Sequence, residues 1–156
     1  MIANPDIGLA TLADATAIAR LSRDEIEQGL RWSWTPARVR RAILDRDTNV
    51  VIARDGAALA GFALMQYRDE HAHLSLLAVT PTHRRKGIAT ALLAWIEETF
   101  RIAGVRAVQV ELRASNTGAR AFYEKLGFEQ VNATSRYYQG SETALHMVKE
   151  ISPGPE

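Results

Sequence analysis

Near the start of the chain the apolar positions Leu12, Ala15, Ile18 and Ala19 recur at helical spacing, which predicts a helix over 14–28 that Gly29 ends. A short extended stretch over 7–10 precedes it. The run "TPARVRRAILDR" predicts a second helix, with Thr35 as its N-cap and Pro36 at its first position. Trp32 and Trp34 fall on the loop between the two. From Asn49 the period changes: "NVVIARDGAALAGFALMQY" reads as two strands around an Asp55-Gly56 turn, and "HAHLSLLAV" as a third strand that stops before Pro81. A helix from about Gly87 to Ala103 follows, with Leu92, Leu93, Trp95, Ile96 and Phe100 apolar and Gly104 closing it.

In "RAVQVELR", Val108, Val110 and Leu112 face one way and Gln109, Glu111 and Arg113 the other. "SNTGARAFYEKL" predicts a short helix with Ala119, Phe122 and Leu126 on one side, capped by Gly127 with Phe128 behind it. Strands near 129–134 and 143–149 complete the pattern. The predicted order is β-α-α-β-β-β-α-β-α-β-β, an α/β (mixed α+β) fold with a central sheet of about six to seven strands and helices on both faces. Residues 1–151 are expected to form one domain and 152–156 a flexible tail.

Composition narrows the classes. A chain of 156 residues with 47% hydrophobic and 24% charged residues is ordinary for a soluble globular protein. Its net charge of +1 argues against a nucleic-acid binder that relies on bulk positive field. With no cysteine, disulfides, thiol catalysis and cysteine-ligated zinc are excluded, and no His/Asp/Glu cluster has ligand spacing, so no metal is expected. The first residues lack a basic leader and no apolar run approaches the roughly 18 residues of a membrane span. The expectation is a cytoplasmic protein without membrane contact, monomeric or homodimeric.

The stretch "THRRKGIATALL" carries the most chemistry. Its charges run through Gly87 into an alanine-rich helix. A helix start presents unpaired N–H groups and the positive end of the dipole, and a loop wrapped before it converges several N–H groups on one anion. Gly87 lets phosphate oxygens approach without a Cβ, while Arg84, Arg85 and Lys86 add charge. A solvated surface turn is the plain alternative. A P-loop needs Gly-Lys-Ser/Thr, but Lys86 precedes Gly87 and Ile88 follows it; a dinucleotide fingerprint needs three spaced glycines and finds one. A small nucleic-acid patch would need interleaved aromatics, which are missing.

Arg84-Arg85-Lys86-Gly87-Ile88-Ala89, directly after "LLAV", matches the (Gln/Arg)-x-x-Gly-x-(Gly/Ala) motif of the GCN5-related N-acetyltransferases, and "ELRASNTGARAFYEKLGF" resembles that family's second acetyl-CoA motif. The resemblance runs from about Ala57 to Lys149. The C-terminal half is most similar to the ribosomal-protein-alanine N-acetyltransferase type.

The resemblance implies an acetyl-CoA-dependent enzyme with no metal, acting on an amine: a protein N-terminus, or alternatively a polyamine, amino acid or aminoglycoside. A non-catalytic acyl-CoA-binding module is a further alternative. It implies that Arg84, Arg85, Lys86, Gly87, Ile88 and Ala89 hold the pyrophosphate. Leu77, Ala78 and Val79 would offer backbone to the pantetheine arm, on a strand that splays from the next one. Asn116 would contact the cofactor, and Tyr123 both contacts it and protonates the leaving thiolate.

Glu111 is the candidate general base, a role the subfamily gives to a glutamate here, with Arg113 a possible ion-pair partner. His73, His71 and Glu70 are rivals. Tyr137 and Tyr138 resemble a substrate-side pair. Trp32 and Trp34 either wall the acceptor slot or pack the first two helices, one expected in each role. For Asn116 a plain N-cap, and for Tyr123 a core aromatic, are the structural alternatives.

Overall fold

The computed structural model describes residues 6–134 and 143–151. Its elements follow the predicted order: β1 (Asp6–Leu9), α1 (Ala15–Glu25), α2 (Pro36–Leu44), β2 (Thr48–Asp55), β3 (Ala58–Arg68), β4 (His71–Val79), α3 (Ile88–Ala103), β5 (Ala107–Arg113), α4 (Thr117–Lys125), β6 (Glu129–Thr134) and β7 (Ala144–Glu150). The strands form a seven-stranded sheet in the order β1-β2-β3-β4-β5-β7-β6. The chain divides into two compact units, one of Met1–Gln66 with Ser75–Thr99, the other of Tyr67–Leu74 with Phe100–Glu156. Both β4 and α3 pass from one to the other. No helix among the described residues is long and apolar enough to cross a membrane.

In the first unit, β1, β2 and β3 run antiparallel, and Asp55 pairs with Ala58 around the predicted turn. One face of these strands and the upper part of β4 bury Val50, Ile52, Phe62, Leu64, Leu76 and Ala78 with Ile18, Ala19 and Val39 of the two helices. The period-two strand and period-3.6 helix patterns thus meet in one core. Gly61 of β3 is required by that packing. A Cβ there would lie 2.9 Å from the Ala78 carbonyl oxygen and 3.3 Å from Ile88 Cγ2, so any side chain would displace the end of β4 or the start of α3.

Helix α1 stops at Glu25, short of the predicted 28. The cause is Glu27, whose side chain turns inward and is only 6% exposed. Its carboxylate accepts from Ser22 Oγ at 2.9 Å, Ser33 N at 2.7 Å, Ser33 Oγ at 2.8 Å and Trp34 N at 3.3 Å. Both Ile26 and Glu27 N–H groups donate to Ser22 O, closing the last turn early. A buried carboxylate without a paired cation needs several donors, and these supply them. The loop carrying Trp32 and Trp34 is therefore folded around Glu27. Thr35 then caps α2 as predicted, accepting from the Arg38 N–H.

In the second unit, β4 runs parallel to β5 from His71↔Ala107 to Leu74↔Val110, and β5 pairs antiparallel with β7 along its whole length. Val108, Val110 and Leu112 are buried, as alternation predicts. α4 ends in a Schellman motif: Gly127, at φ 98°, donates to Glu124 O, and Phe128 donates to Tyr123 O at 3.0 Å. The buried residue of α4 is Tyr123. Ala119, Phe122 and Leu126, the predicted apolar side, are only half-buried.

Replacing Glu27 with Ala should cost about 2–3 kcal/mol, because the Ser33 and Trp34 N–H groups lose a charged acceptor. Urea unfolding would read this as a lower midpoint at unchanged slope. An unchanged midpoint would show that the carboxylate does not hold the loop.

Candidate functional site

The basic loop lies in the first unit. After β4, Thr80 donates its N–H to Ala60 O at 2.9 Å, and a single 3-10 turn over Pro81–His83 follows. His83 fixes that turn. Its Nε2 lies 3.0 Å from Asp55 Oδ2 and its Nδ1 lies 2.6 Å from Thr80 Oγ1. An ionised carboxylate only accepts, so the network assigns the proton to Nε2 and leaves Nδ1 to accept from the Thr80 hydroxyl.

The chain then adopts left-handed backbone twice, at Arg85 (φ 62°) and Gly87 (φ 79°). Glycine takes this conformation freely and arginine does not, so Arg85 carries backbone strain, as Asp69 does at φ 54° in the β3–β4 turn. The first backbone bond back from α3 is donated by Ala91 to Gly87 O at 3.0 Å. The amides of Arg85, Lys86, Gly87, Ile88 and Ala89 donate to no acceptor among the described residues. Left-handed residues ahead of a helix start turn successive N–H groups into one concavity that suits an anion. Gly87 and Arg85 are exposed and Ala89 keeps the first turn small. The fit to a phosphate or pyrophosphate is good. Arg84 is already engaged, its guanidinium paired with Glu25 at the end of α1.

The second unit holds the acid–base candidates. Glu111, His73, Gln109 and His146 line a groove of about 200 Å³ together with Val110, Val131, Met147 and Val148. Burial pushes the His73 imidazole below its ordinary pKa of 6.5; Glu111 opposes this, while Arg68 and His146 add to it. His73 is therefore neutral at pH 7. The partner of Glu111 in this groove is His146, with Nδ1 3.5 Å from Oε1, rather than the suggested Arg113. His146 did not stand out in the sequence, because it becomes visible only once β7 is set in register against β5, where Glu111↔His146 are direct partners. The rivals Glu70 and His71 are exposed and do not line the groove, and Glu70 faces Arg106 instead at 3.7 Å.

Tyr123 is 8% exposed, packed edge-on between Phe122 and Phe128 with centroids at 5.3 and 5.2 Å. Burial raises its phenol pKa above the ordinary value of 10, so it keeps its proton across the physiological range. Asn116 caps α4, accepting from Ala119 N–H at 3.0 Å, and is exposed. Asn116 and Tyr123, at opposite ends of α4, therefore sit in different environments, one exposed and one buried.

In the first unit Trp32 donates from Nε1 to Ala19 O at 3.2 Å beneath the Arg23 guanidinium, and Trp34 lies 3.7 Å below that of Arg38. Both are partly buried against the α1–α2 core. Tyr137 and Tyr138 lie outside the described residues. Among the described residues no group of three or more His, Asp or Glu side chains is arranged to hold a metal.

Residues 15–128 match the Acetyltransferase (GNAT) family. The chain is 35% identical over 111 residues to the [Ribosomal protein bS18]-alanine N-acetyltransferase of Escherichia coli K12, covering 69% of this chain and 74% of that one. It is 30% identical over 156 residues to the N-alpha-acetyltransferase RimI of Mycobacterium tuberculosis, covering 96% and 94%. The crystal structure of the Escherichia coli ribosomal-protein-S18-alanine N-acetyltransferase superposes with a TM-score of 0.82 at 27% identity, over 98% of this chain and 97% of that one. The extended family match, on a fold whose strand, loop and helix order agrees with it, makes the chain an acyltransferase of the GNAT family.

Proposed function

We propose that this enzyme moves an acetyl group from acetyl-CoA to the α-amine of a protein N-terminus, by direct attack of the amine on the thioester. The observation that carries the donor half is the loop at 84–89, whose left-handed residues and unpaired amides form an anion cradle at the head of α3. The backbone of Leu77, Ala78 and Val79 would take the pantetheine arm as an added strand. An N–H near Ala78 or Val79 would polarise the thioester carbonyl.

Glu111, acting directly or through water, takes the proton of the ammonium. The amine lone pair then forms the new C–N bond, the C–S bond breaks, and Tyr123 protonates the departing sulfur. A buried phenol with a raised pKa performs that step only where the same exclusion of water also raises the proton affinity of the thiolate. Asn116 would contact the cofactor arm with the part of its amide that the cap leaves over. Trp32, Trp34, Tyr137, Tyr138 and His73 are the proposed acceptor-side residues.

Two considerations favour an α-amine. An α-amine has an ordinary pKa of about 8 against about 10.4 for lysine, so one carboxylate in an open groove suffices to deprotonate it. The similarity to an alanine N-acetyltransferase and an N-alpha-acetyltransferase points the same way.

Mass spectrometry of a panel incubated with acetyl-CoA tests this reading; the panel holds alanine-first and other free-N-terminus peptides, lysine peptides, polyamines and aminoglycosides. A 42-Da gain, the mass of an acetyl group replacing hydrogen (about 42 by composition), is expected on a peptide α-amine. Modification confined to a small amine would contradict the α-amine acceptor. With the acceptor that turns over, Tyr123→Phe should lower kcat by about 10²–10⁴-fold without a comparable loss of acetyl-CoA affinity. Full turnover by that variant would remove Tyr123 from the chemistry.

A further inference from the structure

β5 sets Glu111 between two strands, and each brings an imidazole to the same groove. On β7, His146 is the direct register partner of Glu111. On β4, His73 is the partner of Gln109, two residues before Glu111. Side chains directly opposite in an antiparallel pair start from Cβ atoms about 4.5–5.5 Å apart, so the Glu111–His146 approach follows from the register itself. That register is unshifted from Ala107↔Glu150 to Arg113↔Ala144, whereas the β6–β7 ladder slips between Gln130 and Asn132. The two side chains are 26% and 25% exposed, so the pair is sheltered yet open to water.

A general base must lose its proton before the next turnover, and a second group within reach that opens on solvent shortens that path. Among the described residues, Glu111 from β5 and His73 from β4 line the groove with His146, and Arg68 acts on His73 in turn; the register partner of His146 on β6 is Asn132. His73 is the less suitable receiver, because burial lowers its affinity for a proton. His146 is 25% exposed and presents Nδ1 to the carboxylate at 3.5 Å.

We propose that His146 is a positioning residue for acetyl transfer, which acts through Glu111: with its own proton on Nε2, it takes up at Nδ1 the proton that Glu111 removes from the acceptor ammonium. The proposal rests on the reading of Glu111 as the base. In each cycle the ammonium gives one proton to Glu111, the protonated carboxyl passes it to neutral His146, and the imidazolium releases it to water. Carboxylate and imidazole are both restored. The sign is fixed by this sequence: the step needs neutral His146, so its protonation slows turnover as pH falls.

The test is kcat against pH, with saturating acetyl-CoA and an alanine-first peptide, for the wild type, His146→Asn, His146→Phe and Glu111→Gln. Asparagine keeps a polar group near the Nδ1 position but cannot carry a proton. Glu111→Gln is expected to fall by about 10²–10⁴-fold. His146→Asn is expected to fall about tenfold at its plateau and to move its acid limb to lower pH, at unchanged acetyl-CoA affinity, the loss being a fraction of a full acid–base contribution. The titration of the peptide amine is common to all four proteins. A His146→Asn profile identical to wild type, with Glu111→Gln inactive, would overturn the role of His146 alone. An equal loss at every pH in both His146 variants, with the acid limb unmoved, would reduce it to a structural residue and also overturn the proposal. An active Glu111→Gln, or a wild type inert towards the peptide, would instead remove the reading on which it rests.

Discussion

The candidate site depends on how the chain passes from strand β4 to helix α3. A strand that ends on a buried face must turn into a helix whose first amides have no intrahelical acceptor. The short route taken here places left-handed backbone at Arg85 and Gly87. Such conformations turn successive amides towards one concavity, and a bound anion would satisfy amides left without an acceptor. The surroundings hold the turn in place: Gly61 leaves no side chain where the Ala78 carbonyl and Ile88 sit, and the Asp55–His83–Thr80 chain of hydrogen bonds ties the 3-10 turn to the β2–β3 hairpin. The strain at Arg85 is thus offset by packing and hydrogen bonding around it.

The second unit places a carboxylate and a phenol in contrasting surroundings. It does so by exposure. Glu111 stands on the open face of β5 beside imidazoles, while Tyr123 is buried between two phenylalanines at the end of α4, with the Schellman turn fixing Phe128 against it. The strand that carries Glu111 also fixes which group sits beside it, because cross-strand neighbours are determined by register.

Much of this was legible in the sequence. Period-two and period-3.6 patterning defined every helix and strand in order, and the glycines at 29, 56, 87, 104 and 127 all adopt the positive φ their turns require. The loop at 84–89 and the strand carrying Glu111 were found from local signals alone. What escaped was non-local. Glu27 has no periodic signature that separates a buried carboxylate from a solvated one, so the end of α1 was placed too late. His146 is far along the chain from Glu111 and meets it only through the β5–β7 ladder. Gly61 looks like any strand glycine until the Ala78 carbonyl is set beside it. In each case the missing information was which residues the sheet and helices bring face to face.

Backbone amide NMR during a titration with coenzyme A tests the anion cradle most directly, with pantetheine, which lacks the pyrophosphate, as the control. The largest shifts on adding coenzyme A should fall on the amides of Arg85, Lys86, Gly87, Ile88 and Ala89, and pantetheine should leave them unmoved. Binding of coenzyme A that leaves those amides still and shifts resonances elsewhere would contradict the account.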